Sequence, residues 1–388
     1  MANINDYLLW RGDISLSSEH NFNEVDSVIL ARFSYLRFDK IKMSEVETIE
    51  SISEKMKNLD NEEFRYNGDK ELITYLGKSK RFKDMKVTDY VENNERSLEQ
   101  QFEAVTIHIS DEEMYISYIG TDSSIYGWKE DFNISFMDSV PCQIEGKKYI
   151  NLIANKYPKK RIRIGGHSKG GNVAIYSAIS AKKAIQDRII KVCNYDGPGF
   201  NKDIIKKYKT SSILKKIETF FPQDSVIGRI MYHAEKCTVA LSNEKGIYQH
   251  DIYSWQVFKD DLVKADNVTA NSEIINMTLN DWLEHTTVEQ REIFFDEIFD
   301  LFYATEANTF GEMSKSLSKN IMTILKKYRG IEENDRKTIT SMIKLFVKAY
   351  FQVVRDKEKI NFSNSVDYKK IENEARNKHM ISINLGAN

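Results

Sequence analysis

Cysteine, proline and long apolar runs are scarce in this chain, and each scarcity removes a class of answer. The three cysteines (Cys142, Cys193, Cys237) are widely spaced, and none forms a Cys-x-x-Cys pair. Neither a disulfide framework nor a paired-cysteine zinc site is expected, and a reducing, cytoplasmic setting fits best. Only four prolines occur, and no repeat period or low-complexity tract is visible. No run approaches the length of a membrane-spanning helix, so no integral membrane segment is expected. The opening MANINDYLLWRGDISL lacks the basic and apolar regions of a secretory signal. Net charge is nearly absent too: 56 basic residues face 58 acidic ones, leaving −2 at pH 7. That balance argues against nucleic acid as a partner bound through overall charge. Lysine clusters such as IIKKYKT, ILKKI and ILKKYR read as solvated helix faces.

What is present is a core: 41% of the residues are apolar. In NEVDSVILARFSYLRF, residues Val25, Ile29, Phe33 and Leu36 recur at three- and four-residue steps, which predicts a helix. SEVE at Ser44 to Glu47 has capping-box form, and KELITYLGKSKRF is a short amphipathic piece. From about residue 95 the period changes. FEAVTIHIS (Phe102 to Ser110) and MYISYIG (Met114 to Gly120) alternate as neighbouring strands, a hairpin. Beyond the polar stretch TDSSIYGWKEDFNISF, helix and strand patterns alternate. CQIEGKKYINLIANKY is a helix, RIRIGG a strand, NVAIYSAISAKKAI a helix and IIKVCNYDG a strand. NKDIIKKYKT is a helix, and KIETFFPQD and KCTVALSN are strands. Such alternation predicts an α/β fold with a mostly parallel sheet and helices on both faces. The expected organisation is an N-terminal helical segment (1–94) packed on a core (95–262), followed by a C-terminal helical segment (263–388). In the last, DRKTITSMIKLFVKAYFQVV places Ile339, Ile343, Phe346, Tyr350 and Val354 on one face. The tail NEARNKHMISINLGAN reads as frayed or disordered.

Glycine is sparse as well, 17 in all, yet Gly165, Gly166, Gly170 and Gly171 fall within seven positions around Ser168. Gly166-His167-Ser168-Lys169-Gly170 matches G-x-S-x-G, with a strand before it and a helix after it, as a nucleophile elbow requires. The elbow is a sharp turn with unfavourable backbone angles, so the residues two before and two after the nucleophile must be tiny. Gly166 and Gly170 meet that need. The backbone N–H of Lys169, at the start of the following helix, is one expected oxyanion donor. Thr121, in the loop after the MYISYIG strand, is the second.

A serine needs a base and an orienting acid. When the acid follows the nucleophile and the histidine comes last, His20, His108 and His167 lie too early. His285 and His379 lie in the helical C-terminal part. His233, in IGRIMYHAEK, reads as a surface or helix-end residue of a short helix. His250, just beyond the KCTVALSN strand, is therefore the expected base. Two aspartates end strands: Asp224 after IETFFPQ and Asp196 after VCNY. Asp224 is preferred because it lies one strand before the histidine, while Asp196 also suits the DGPG turn. Asp251 reads as a local cap.

At this point the chain resembles a known group. YIGTDSSIYGWKEDF, GGHSKGGNVA, FPQDSVIG and HDIYSWQV occur in the order seen in a bacterial α/β-hydrolase-like family, a domain of unknown function related in pattern to class 3 lipases. DYLLWRGDISL and the helix after it resemble that family's N-terminal signature, so the resemblance runs from about residue 6 to about residue 260. It implies an α/β-hydrolase fold, with Ser168 as nucleophile, Asp224 as acid, His250 as base and Thr121 at the oxyanion. Two positions depart from the lipase pattern: Ile119 replaces an arginine, and Lys169 replaces a leucine. A charge beside the nucleophile speaks against long-chain lipid substrates.

The expected activity is that of a serine esterase acting on a small-molecule or lipid-like acyl ester through an acyl-enzyme. An acyltransferase or thioesterase with the same triad, and a non-catalytic scaffold for protein interaction, are the alternatives. The aromatic run REIFFDEIFDLFYATEANTF would serve a homo-oligomer contact, or pack the C-terminal segment onto the core, which is the preferred reading. No cofactor is expected, since GGHSKGG lacks the phosphate-loop spacing. No metal is expected either, since no His/Asp/Glu cluster shows ligand spacing.

Overall fold

In the computed structural model, residues 1–122, 124–309, 312 and 317–357 are described; the tail from residue 373 onward lies outside them. Helices α1 (Ile4–Arg11) and α2 (Glu24–Phe33) open the chain, followed by β1 (Val46–Thr48), α3 (Ile49–Met56), α4 (Asp69–Lys78) and β2 (Lys86–Glu95). Strands β3 (Gln100–His108) and β4 (Glu113–Tyr118) form the predicted antiparallel hairpin. Next come α5 (Ile125–Asn133), α6 (Pro141–Lys156), β5 (Arg161–His167), α7 (Lys169–Ser180), α8 (Lys183–Arg188), β6 (Ile189–Tyr195), α9 (Lys202–Tyr208), β7 (Ile217–Pro222) and β8 (Lys236–Ala240). Short strands β9 (Val257–Phe258), β10 (Asp261–Leu262) and β11 (Lys264–Ala265) precede α10 (Ala270–Glu284), α11 (Val288–Tyr303) and α12 (Leu317–Gly330). Residues 333–357 form a last helix, α13.

One nine-stranded sheet runs β1-β2-β3-β4-β5-β6-β7-β8-β11. Strands β4 to β8 are parallel, and the outer pairs are antiparallel. This is an α/β-hydrolase-like sheet. Two strands, β1 and β2, come from the first 95 residues, which the sequence pattern assigns mainly to helix. In β2 (KVTDYVENNE) the apolar residues are few, because an edge-side strand needs only one partly buried face.

Alternation along the strands sends side chains to two cores. Ala104, Met114, Ile116, Tyr118, Ile162 and Ile164 meet α6 and α7 on one face. Val105, Ile107, Tyr115, Cys193, Tyr195 and Phe220 meet α1 to α4 on the other. The crossover helices thus cover one face, and the N-terminal segment covers the face they leave bare. Helix α2 is buried along its whole length from Val25 to Phe33, as a helix sandwiched between layers must be. Each fully buried Val, Ile, Leu or Phe there contributes about 1.5–3 kcal/mol. Its buried charges are paired: Arg32 Nη2 lies 2.8 Å from Asp69, and Arg81 Nε lies 2.7 Å from Asp26.

The C-terminal helices add a third cluster, in which Trp282, Phe295, Phe299 and Met342 surround Ile125 of α5. The α11 aromatics pack onto the core, Phe295 lying 4.8 Å from the ring of Phe132. In α13 the buried stripe is Ile339, Met342, Ala349 and Val353, whereas Ile343, Phe346 and Tyr350, expected on one face with Ile339, are exposed. The helix carries apolar residues on more than one stripe, so period alone could not choose between them. Among the described residues no helix is long and apolar enough to cross a membrane.

Candidate active site

Strand β5 ends at His167 and α7 begins at Lys169, so Ser168 alone turns the chain, with φ +56° and ψ −133°. A non-glycine residue held there costs on the order of 1–3 kcal/mol. The turn is held by the Ser168 N–H, which donates to Tyr195 O at 2.8 Å, and by Gly171 N–H, which donates to Ser168 O at 2.9 Å. A Cβ on Gly166 would lie 2.3 Å from the Gly170 carbonyl carbon, and one on Gly170 would lie 2.3 Å from Tyr118 O. Both positions therefore exclude any side chain, as the elbow geometry demands.

The Ser168 hydroxyl lies 3.1 Å from His250 Nε2. On the other side of the ring, His250 Nδ1 lies 2.6 Å from Asp196 Oδ2. The carboxylate can only accept, so Nδ1 carries the proton and Nε2 is left to accept from the serine. Asp196 is fully buried, and its second oxygen accepts from Ser225 Oγ at 2.5 Å. His250 ends a short 3₁₀ turn (Gly246–His250), and its carbonyl accepts from His167 Nε2 at 2.8 Å. Burial, with the nearby His250 and Arg32, holds His167 well below the ordinary histidine value, so it is a neutral donor.

The expected acid is corrected by this arrangement. Asp224 does not reach His250. Its Oδ2 accepts from Gly246 N–H at 2.8 Å, and its Oδ1 accepts from Thr269 Oγ1 at 2.5 Å. The reason is strand order: β6 lies directly beside β5, so the residue after β6 emerges next to the elbow, whereas Asp224 emerges one strand further away. Asp224 instead braces the turn that carries His250. His233 is not on a helix, since the 3₁₀ turn before it ends at Arg229; it pairs with Glu235 at 2.7 Å. His20 lies beside Arg11 and His108 beside Thr88, both away from Ser168. His379 lies outside the described residues.

Thr121 follows β4 and lies against the site, but its hydroxyl donates to Asp131 Oδ2 at 2.5 Å. Its backbone N–H has no hydrogen-bond partner among the described residues. The Lys169 N–H, first in α7, has no carbonyl one turn behind it. Burial raises Asp131 to about 6, although Lys169 and the Thr121 hydroxyl pull it down.

The Lys169 side chain is buried, and Nζ lies 2.7 Å from Glu130 Oε2. Glu130 in turn accepts from the backbone N–H groups of Gln101 at 3.1 Å and Cys142 at 2.8 Å. The lysine charge beside the nucleophile is therefore neutralised within the protein. This removes the ground on which the sequence spoke against apolar acyl chains. Glu130 and Asp131 belong to α5, which sequence reading treated as a polar loop. Its signal is Ser124, an N-cap whose hydroxyl accepts from Gly127 N–H at 3.2 Å.

A cavity of about 140 Å³ opens at Ser168 and His250. Trp128 and Phe132 of α5, Ile230 and Met231 of the loop before β8, Trp282 of α10 and Phe295 of α11 form its wall. On the scale where one water needs roughly 10–15 Å³ of such volume, the cavity has space for on the order of ten waters.

The Mbeg1-like family model matches residues 76–300. No curated protein matches the chain. Among solved structures, the native Rhizomucor miehei lipase propeptide complex aligns at 12% identity, over 63% of this chain and 82% of that one, with a TM-score of 0.33. The Lip2 lipase of Yarrowia lipolytica aligns at 12% identity, over 55% and 76%, with a TM-score of 0.33. A fungal lipase–inhibitor complex aligns at 14% identity, over 42% and 68%, with a TM-score of 0.33.

Proposed function

We propose that this chain, which belongs to the Mbeg1-like family, is a lipase-like serine hydrolase that cleaves an acyl ester through a covalent acyl-enzyme. The observation that carries the reading is the hydrogen-bonded row Ser168–His250–Asp196, at 3.1 Å and 2.6 Å.

In this reading Ser168 Oγ attacks the acyl carbon while His250 Nε2 takes its proton. Asp196 holds the resulting imidazolium through Nδ1–H. The developing oxyanion accepts from the N–H groups of Lys169 and Thr121, at the positive end of α7. The carbonyl re-forms as the C–O bond to the leaving group breaks, and His250 returns the proton to the departing oxygen. Water then attacks the acyl-enzyme with His250 again as base, and Ser168 regains its proton. The acyl chain occupies the cavity, whose wall is predominantly aromatic and aliphatic. An apolar wall favours an apolar chain by about 0.8 kcal/mol per methylene buried.

The test is a fluorophosphonate probe together with a chain-length series of esters and matched thioesters. Wild type is expected to be labelled and to turn over esters, and Ser168→Ala to do neither. A folded wild-type chain that is neither labelled nor active on short p-nitrophenyl esters would overturn the proposal. Faster turnover of the thioesters would move the substrate class toward acyl carriers.

A further inference from the structure

Far along the chain, His233, Glu235 and Cys237 occupy every second position on the way into β8. A ring nitrogen of His233, a carboxylate oxygen of Glu235 and Sγ of Cys237 lie within 4.8 Å of one another.

The histidine has only one way to hold its proton when neutral. Its Nε2 lies 2.8 Å from the carbonyl oxygen of Gly228. A carbonyl only accepts, so Nε2 carries the hydrogen. Neutral imidazole then turns a bare lone pair at Nδ1 toward Glu235 Oε1, 2.7 Å away. Two acceptors at that distance repel unless a cation lies between them. A proton on Nδ1 accounts for the contact as it stands, a metal ion would hold the same two atoms slightly farther apart, and the Cys237 thiol, which donates to the Glu235 carbonyl at 3.7 Å, adds a third ligand atom.

The surroundings suit a metal ion. A backbone carbonyl holding the far ring nitrogen is the usual outer support of a metal-bound histidine. The Glu235 carboxylate is itself fixed, accepting from Thr219 Oγ1 at 2.5 Å and from Ala234 N–H at 3.0 Å. Cys237 is exposed, which gives an ion access and leaves room for a fourth ligand from solvent.

We propose that His233 Nδ1, Glu235 and Cys237 Sγ form a binding site for a divalent transition-metal ion of the zinc type. One nitrogen, one oxygen and one sulfur donor suit zinc's tetrahedral preference. The exchange balances: the thiol gives up its proton as Sγ binds, and the Glu235 carboxylate and the Cys237 thiolate cancel the charge of the ion. Gly228 packs closely on Asp196, since a Cβ there would lie 2.3 Å from Asp196 Oδ1. The ion would therefore tie the turn behind Asp196 to β8, outside the cavity at Ser168. The proposal does not depend on the hydrolase reading.

Cobalt(II) titration of the full chain tests it. One ion is expected per chain, with the strong visible absorption of a tetrahedral site, a thiolate-to-cobalt charge-transfer band, and displacement of both by zinc. The thiol proton should leave as the ion binds, read as proton release in weakly buffered solution. Cys237→Ser, at an exposed position, should abolish the charge-transfer band, and His233→Ala should weaken binding at least about tenfold. No charge-transfer band in the wild-type chain, or a band that persists in Cys237→Ser, overturns the site.

Discussion

Replacing the carboxylate at position 196 by its amide keeps the shape of the site but removes the acceptor that fixes the His250 tautomer. Asp196→Asn is therefore expected to lower kcat by ~10⁴ with little change in fold. Asp224→Asn touches the brace of the 246–250 turn and the bond from Thr269 at the start of α10. It should leave kcat within about tenfold of wild type and cost about 0.5–1.5 kcal/mol of stability through weakened, partly buried hydrogen bonds. Ester kinetics and thermal melts of the two variants decide which aspartate is the acid. Beside the nucleophile, Lys169→Met leaves Glu130 buried without its counter-charge, a loss of about 3–5 kcal/mol. The double change Lys169→Met with Glu130→Gln should recover a good part of that loss in denaturant unfolding. Gly-x-Ser-x-Gly was readable in the sequence because steric exclusion leaves only glycine at 166 and 170. The choice between two strand-end aspartates was not, since it depends on which strand lies beside β5.

At the scale of elements, the sheet is stapled by charge as well as by its ladder. Glu218 of β7 contacts Lys191 of β6 and Lys236 of β8, and Thr238 Oγ1 donates to it at 2.8 Å. Burial alone would raise this carboxyl, but the hydrogen bonds from Lys191, Lys236 and Thr238 outweigh it and hold it at about 2. Its folded value is thus below its ordinary value of 4.5. The stabilisation is complete above pH 4.5 and is lost as pH falls toward 2. Glu218→Gln should flatten this part of the stability–pH curve, measured by urea midpoints between pH 5 and 2. The long strands and helices of the core, β3 to β8 with α6 and α7, were legible from their periods. Helix α5 was missed because Gly127 and its acidic residues read as loop. Its charges face inward to Lys169 and Thr121, a reason that no local pattern contains.

For the whole molecule, the N-terminal segment supplies the second layer of the sheet, and the C-terminal helices α10 and α11 wall the cavity at Ser168. In the proposed reaction, substrate length is set by residues more than 100 positions from Ser168, Trp282 and Phe295 among them. Trp282→Leu should enlarge the cavity and move the optimum of kcat/KM toward longer acyl esters, read from the chain-length series. An unchanged optimum would mean that the chain lies elsewhere. The sequence by itself determined the alternation of strand and helix, the glycine-flanked turn at Ser168, the choice of His250 as the proposed base and the presence of helical additions at both ends. These follow from local sterics and hydrophobic period. Only the tertiary structure decided that Asp196 rather than Asp224 meets His250, that Lys169 is neutralised by Glu130, and that distant helices wall the cavity at Ser168. Each of these depends on which strands and helices become neighbours, a non-local outcome of packing.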